Sequence, residues 1–203
     1  MTSANSWDDH FARKARKQKW AARSVYKLEE IDRRFRIIRP GARLLDLGCS
    51  PGSWTQYALG KIGPGGDVVG IDLTEPGRIS APNFLAIQAD ILSMDPQALL
   101  ERIGPRDAVI SDLAPKTTGA KTADVLRSEE LAYAALAVAR VLLRPGGCFL
   151  CKVFEGEGIQ SLRKETARSF SSVKNVRPKA VRKSSREIYL LAREFKGDGG
   201  NNN

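Results

Sequence analysis

The stretch Ala42-Arg43-Leu44-Leu45-Asp46-Leu47-Gly48-Cys49-Ser50-Pro51-Gly52-Ser53-Trp54 decides the architecture. Its first half is a short apolar run, the pattern of a strand covered on both faces. Its second half is a loop of small residues. Beyond it Trp54, Tyr57, Ala58 and Ile62 mark the apolar side of a helix. A strand that passes through small residues into a helix leaves the first N–H groups of that helix free and lets a ligand approach the backbone. The dinucleotide fingerprint G-x-G-x-x-G is missing, because Gly48 and Gly52 are separated by Cys49, Ser50 and Pro51. No cradle for a pyrophosphate is evident. The loop does fit a cofactor that ends in an amino-acid carboxylate, such as S-adenosylmethionine (SAM).

Working outward, Ser24 is placed to cap a helix through Phe35, with Val25, Leu28, Ile31 and Phe35 on one side. Downstream, GDVVGIDL (66–73), NFLAIQAD (83–90), DAVISDLAP (107–115) and CFLCKVF (148–154) read as further strands. Helix-length segments at 95–103, 123–143 and 159–170 separate or follow them. SSVKNVRP (171–178) and SREIYLLAREF (185–195) close the chain as two strands joined by a basic link with no helix. Strands separated by helices pair in parallel, and the last two must pair antiparallel or not at all. The expectation is an α/β fold with a seven-stranded, mostly parallel sheet, one antiparallel strand, and helices on both faces. That is the Rossmann-like arrangement of SAM-dependent methyltransferases rather than of dehydrogenases. Residues 1–20 lack clear periodicity and read as a flexible basic arm, 21–196 as a single domain, and 197–203 as a disordered tail.

Acids fall at successive strand ends. Asp72 suits ribose hydroxyls and Asp90 an adenine amino group, on the carboxyl edge where ligands of open sheets bind. Asp90 alone reads equally well as a turn residue. Asp112 ends the fourth strand without the N-P-P-Y or D-P-P-Y motif of enzymes that methylate base nitrogens. Lys152 stands inside the apolar run CFLCKVF, where a lysine is costly and readily loses its proton. A ribose 2′-hydroxyl is a weak acid, and such a lysine is suited to remove its proton. Asp112 and Glu187 could orient such a lysine or the substrate, and Lys27 could supply a second positive charge, but Glu187 and Lys27 read individually as ordinary surface residues and spacing alone does not bring the four together. Cys151 has the opposite facing to Lys152, and Cys49 reads as a packing residue, so cysteine catalysis is disfavoured.

The 203 residues carry 33 Lys plus Arg against 23 Asp plus Glu, a net +10. Residues 1–43 hold 12 basic and 5 acidic side chains, 44–150 hold 9 and 12, and 151–203 hold 12 and 6. A mildly acidic middle between basic ends points to nucleic acid as the partner. Three cysteines and one histidine give no disulfide framework and no zinc site. No signal peptide and no transmembrane run is visible, which leads to the expectation of a cytoplasmic monomer with no membrane association.

Taken in order, SVYKLEEID (24–32), DLGCSPGSWTQY (46–57), ISDLAP (110–115), CKVFEGEG (151–158) and SREIYLLA (185–192) resemble the RrmJ/FtsJ ribose 2′-O-methyltransferases over about residues 9–195. The loop reads CSPGSW where A-A-P-G-G-W is frequent, and DLAP stands where D-M-A-P is frequent. The resemblance implies a catalytic tetrad at Lys27, Asp112, Lys152 and Glu187, with Lys152 the proton acceptor. It implies SAM contacts at Gly52, Trp54, Asp72, Asp90 and Asp112, and no metal. It also implies ribosomal RNA as partner, with a uridine of the 23S A-loop in the large ribosomal subunit as target. Close relatives acting on tRNA anticodon-loop riboses, or a non-catalytic RNA-binding module on the same fold, are the alternatives. Lys174, Arg177, Lys179, Arg182, Lys183 and Arg186 are expected to contact phosphates.

Overall fold

The computed structural model describes residues 4–77, 79–182 and 184–197, with side chains from His10 onward. The element order is α1 (Ala4–Lys17), α2 (Val25–Phe35), β1 (Arg43–Leu47), α3 (Ser53–Ile62), β2 (Asp67–Asp72), β3 (Phe84–Gln88), α4 (Pro96–Ile103), β4 (Arg106–Ser111), α5 (Lys121–Leu142), β5 (Leu143–Phe154), α6 (Ile159–Ser169), β6 (Phe170–Val176) and β7 (Glu187–Phe195). The sheet runs β3-β2-β1-β4-β5-β7-β6. Strands β1 to β5 pair in parallel, and β7 lies antiparallel between β5 and β6. The helix-free link before β7 forces that reversal, as its length and composition predict.

Successive strand residues point to opposite faces, so the sheet feeds two cores. Leu45, Leu47, Val109, Phe149 and Leu190 pack with α4, α5 and α6. Leu44, Val68, Ile110, Leu150 and Leu191 pack with α2 and α3, and Ala15 of α1 joins this second core. Among the described residues no helix is long and apolar enough to cross a membrane.

Three local features differ from the sequence reading. Residues 4–17, expected to belong to a flexible arm, form α1. Phe11 lies 5.3 Å from the Tyr26 ring and the Lys14 ammonium 4.4 Å above it. Packing on α2 rather than propensity supports this helix. Ser24 does not cap α2: its backbone is helical, and its hydroxyl bonds that of Ser53 at 2.8 Å. Strand β5 begins at Leu143 and includes Arg144-Pro145-Gly146-Gly147, with a register shift against β4 between Arg106 and Ala108. Beyond Gly197, the expected tail lies outside the described residues.

Arg106, unremarked in the sequence, is 1% exposed. Its guanidinium pairs with the Asp67 carboxylate and donates to the carbonyls of Ile103 and Gly104. Arg43 also pairs with Asp67 at 3.0 Å and donates to the Ile103 carbonyl at 2.7 Å, so removing Arg106 leaves both with a partner and costs about 1–3 kcal/mol, from the lost packing and the orphaned Gly104 carbonyl. Arg106→Ala is therefore expected to lower the melting temperature by about 2–12 °C for a domain of this size. A thermal melt checks this.

Candidate active site

The carboxyl ends of the parallel strands and the beginning of β7 meet at one edge. Lys152 sits on β5 in register with Tyr189 of β7, so both side chains point to the α2 side of the sheet. Lys27 comes from the first turn of α2, Asp112 directly follows β4, and Glu187 opens β7. The Lys27 ammonium donates to Glu187 Oε2 at 2.9 Å. The Lys152 ammonium lies 3.2 Å from Asp112 Oδ1 and 4.0 Å from Glu187 Oε1, and donates to the Asp112 carbonyl at 2.6 Å. Two lysines and two carboxylates thus alternate in a chain, with Lys27 and Lys152 both largely buried.

Burial alone would raise the Asp112 pKa. The charges of Lys152 and Lys27 and hydrogen bonds from Tyr189 and Lys152 outweigh it and hold the carboxyl below its ordinary value. The Tyr189 hydroxyl donates to Asp112 Oδ1 at 2.8 Å. Desolvation and the nearby Asp112 and Glu187 push its pKa well above 10, so it stays a donor. Sequence reasoning missed Tyr189. The available signal was its place two residues after Glu187, hence on the same face of the strand.

Beside this array lies a cavity of about 250 Å³. Asp72, Asp90 and Asp112 supply carboxylates to its wall, and Ile71, Leu73, Ile91 and Leu113 supply apolar surface. Asp72 receives the Ser50 N–H at 3.0 Å and also holds Thr74. Asp90 lies two residues past β3 and accepts from the Leu92 N–H at 3.0 Å, so the turn role and a place on the cavity wall coincide. Gly48 has φ +78°, and a Cβ there would come within 2.9 Å of the Leu113 backbone nitrogen. Only glycine lets the two loops approach so closely. Mixed apolar and anionic walls beside a glycine loop fit an adenosine bearing a cationic centre.

Gly52 and Trp54 are not among the residues lining this cavity. Gly52, at φ +114°, packs against the side chain of Ile79, which an added Cβ would meet at 2.8 Å. Trp54 is 2% exposed. Its indole donates to the Ser24 carbonyl at 2.9 Å, and its ring lies 5.8 Å from that of Tyr189. Trp54 thus ties α3 to α2 and backs the reaction centre. The cysteines are poor nucleophiles: burial pushes Cys148 and Cys151 up to about 12 and Cys49 higher still.

Asp46, on β1 next to the cavity-lining Leu47, is fully buried. Its Oδ2 accepts from Thr55 at 2.7 Å, while Oδ1 has no partner. Burial, with smaller contributions from Asp112 and Asp72, raises its pKa to about 7. The folded protein then keeps this proton from about pH 4 to 7, where the unfolded chain has released it. The associated stability is full below about pH 4 and is lost as pH rises through about 7. Asp46→Asn removes the titration and keeps an acceptor for Thr55. Relative to wild type, it is expected to gain up to about 4 kcal/mol between pH 4 and pH 8. Asp112, with its lowered pKa, loses stability only as pH falls below the ordinary carboxylate range, outside most of this window. Unfolding curves across pH check the sign.

A family model described as FtsJ-like methyltransferase matches residues 20–195. The "Ribosomal RNA large subunit methyltransferase E" of Desulfatibacillum aliphaticivorans is 45% identical over 194 residues, 95% of this chain and 93% of the relative. The protein of the same name from Desulforapulum autotrophicum is 47% identical over 188 residues, 92% of each chain. Among solved structures, a Plasmodium falciparum protein assigned to the ribosomal RNA methyltransferases superposes with TM-score 0.76 at 29% identity, covering 88% of this chain and all of that one. Aeropyrum pernix fibrillarin, solved with natively bound S-adenosyl-L-methionine, shares the fold with TM-score 0.57 at 19% identity, over 77% of this chain and 68% of that one.

Proposed function

The chain belongs to the FtsJ-like methyltransferase family, and from that membership we propose that it uses SAM to methylate a ribose 2′-hydroxyl of large-subunit ribosomal RNA, at a uridine of the 23S A-loop. The observation that carries the reading is the alternating Lys27–Glu187–Lys152–Asp112 array beside a carboxylate-lined cavity. The names of the relatives support the RNA class and the subunit.

When bound, the cofactor supplies an electrophilic methyl group on a sulfonium. Asp72 would hold its ribose hydroxyls, Asp90 its adenine amino group, and the aliphatic walls its ring. Gly52 and Trp54 act on this pocket through the loop and helix they pack. Lys152 Nζ takes the 2′-hydroxyl proton as the oxygen attacks, and that proton passes on to solvent to complete the cycle. Glu187 bridges the two lysines and fixes their heads. Tyr189 fixes Asp112, which in turn positions Lys152. Orientation and pre-arranged charge supply most of the rate gain.

The RNA backbone lies along exposed Arg13, Arg16 and Lys17 of α1 and along Lys174, Lys179, Arg182 and Arg186. Arg177 braces this strip: its guanidinium donates to the Ser185 carbonyl and lies 3.9 Å from Glu155. Lys183 is outside the described residues. We place the reaction in the cytoplasm, carried out by a monomer. The test is transfer of labelled methyl from SAM to large subunits, free 23S RNA and tRNA, with the modified position mapped. Label at the A-loop uridine is expected. Label confined to tRNA would overturn the target, and no label in any RNA would overturn the activity.

A further inference from the structure

A second cavity opens at the opposite, amino-terminal edge of the sheet. It has about 250 Å³ and is lined by Arg36, Arg39, Arg144 and Arg193, by Asp107 and Glu194, and by Cys148. Two of its arginines come from the same tripeptide, Arg39-Pro40-Gly41 before β1 and Arg144-Pro145-Gly146 within the first part of β5. Gly41 and Gly146 have φ of +74° and +81°, so both turns use a left-handed glycine to place an arginine at this edge. Arg36 ends α2 in the left-handed region at φ 52°, a place glycine usually takes. Arg193 stands in register with Cys148 near the far end of β7.

The charges do not cancel. Asp107 is engaged by the Arg43 backbone N–H at 2.7 Å and by Arg144 at 3.2 Å. Four guanidiniums thus face two carboxylates, one of them already held. Guanidinium forks match phosphate oxygens in a bidentate manner. Lys152 and Cys148 lie four residues apart on β5, and Glu187 and Arg193 six apart on β7. At about 3.3 Å per residue, the cavity stands about 13–20 Å from the reaction centre. Exposed Arg33 and Arg34 on α2 continue the positive surface toward it.

We propose that this arginine cavity is a phosphate-binding site, filled by a backbone phosphate of the substrate RNA at a distance from the methylated ribose. The RNA source rests on the reading above; free phosphate is the other source of the same chemistry. Such a contact anchors the RNA without reading its sequence and adds to the salt dependence of binding.

The test compares Arg39→Ala/Arg193→Ala with Arg127→Ala/Arg163→Ala, which removes two exposed charges from α5 and α6 behind the other face. Binding is measured with the A-loop stem-loop RNA over a range of salt, and melting with and without inorganic phosphate. SAM affinity and unliganded melting report intact folding. The cavity pair is expected to weaken RNA binding by about tenfold more than the control pair, and to flatten the slope of log K against log salt by about 0.7–0.9 for one lost phosphate contact. A rise in wild-type melting with phosphate that the cavity pair loses, without any RNA effect, assigns the site to free phosphate and overturns the RNA source. Equal RNA binding and equal phosphate response in the two pairs overturn the site. Loss of methyl transfer by wild type would instead sink the functional reading, while the phosphate melts still decide the cavity. If the cavity pair melts early, Arg39→Lys/Arg193→Lys keeps the question open to decision: a lysine retains charge but not the fork, so RNA binding between that of wild type and the alanine pair supports the site and wild-type affinity contradicts it.

Discussion

Lys152→Ala is expected to abolish methyl transfer to RNA, by at least about a thousandfold, while SAM still binds. Loss of a positioned base alone costs about 10²–10⁴ in rate. Here the same side chain also closes the charge chain between Asp112 and Glu187. Lys152→Arg is the sharper variant. A guanidinium keeps the positive charge and the ion pairs but has no lone pair to receive a proton. If Lys152 serves only to hold charge, the arginine variant retains much of the activity. If it is the base, the arginine variant is as dead as the alanine. Single-turnover transfer from labelled SAM, with SAM affinity measured by calorimetry, separates these outcomes.

Asp112→Ala has the second largest effect, because one side chain serves two sites. Its carboxylate pairs with Lys152 at 3.2 Å and also lines the cofactor cavity. Its removal is expected to lower transfer by about 10²–10³ and to weaken SAM binding as well, which Lys152→Ala does not. The Asp112→Ala/Lys152→Ala double variant loses little more activity than Lys152→Ala alone, since residues that act as one unit are not additive. Additive losses would mean that Asp112 acts on the cofactor only and not through Lys152. Tyr189, which donates to the same oxygen, is a positioning residue in this scheme.

The sequence made the strand order's main turning point legible. Helix-length spacing demanded parallel pairing up to β5, and the helix-free link demanded reversal at β7. The four charged residues of the reaction centre were legible mainly through the family resemblance. Lys152 alone stood out on chemical grounds, as a charge inside an apolar strand. Lys27 and Glu187 are 160 positions apart, and nothing local to either announces a 2.9 Å pair. Helix α1 was missed although Trp7, Phe11 and Ala15 stand at helical spacing in the sequence, because so short an apolar stripe is easily lost among the charged residues around it. Trp54 illustrates a different limit. Its position after the loop suggested contact with a cofactor, but a side chain at the start of α3 can equally turn back onto α2, and its indole finds the Ser24 carbonyl there. Arg106 likewise looks like any surface arginine until β2 and β4 bring Asp67 beside it.

The acceptor proposed for this enzyme is a ribose oxygen rather than a base. Its most direct test is alkaline hydrolysis of RNA labelled by this protein with radioactive methyl from SAM. A 2′-O-methyl group removes the nucleophile that cleaves the adjacent phosphodiester, so label is expected in alkali-resistant dinucleotides. Label recovered in ordinary mononucleotides, on the base, would contradict it.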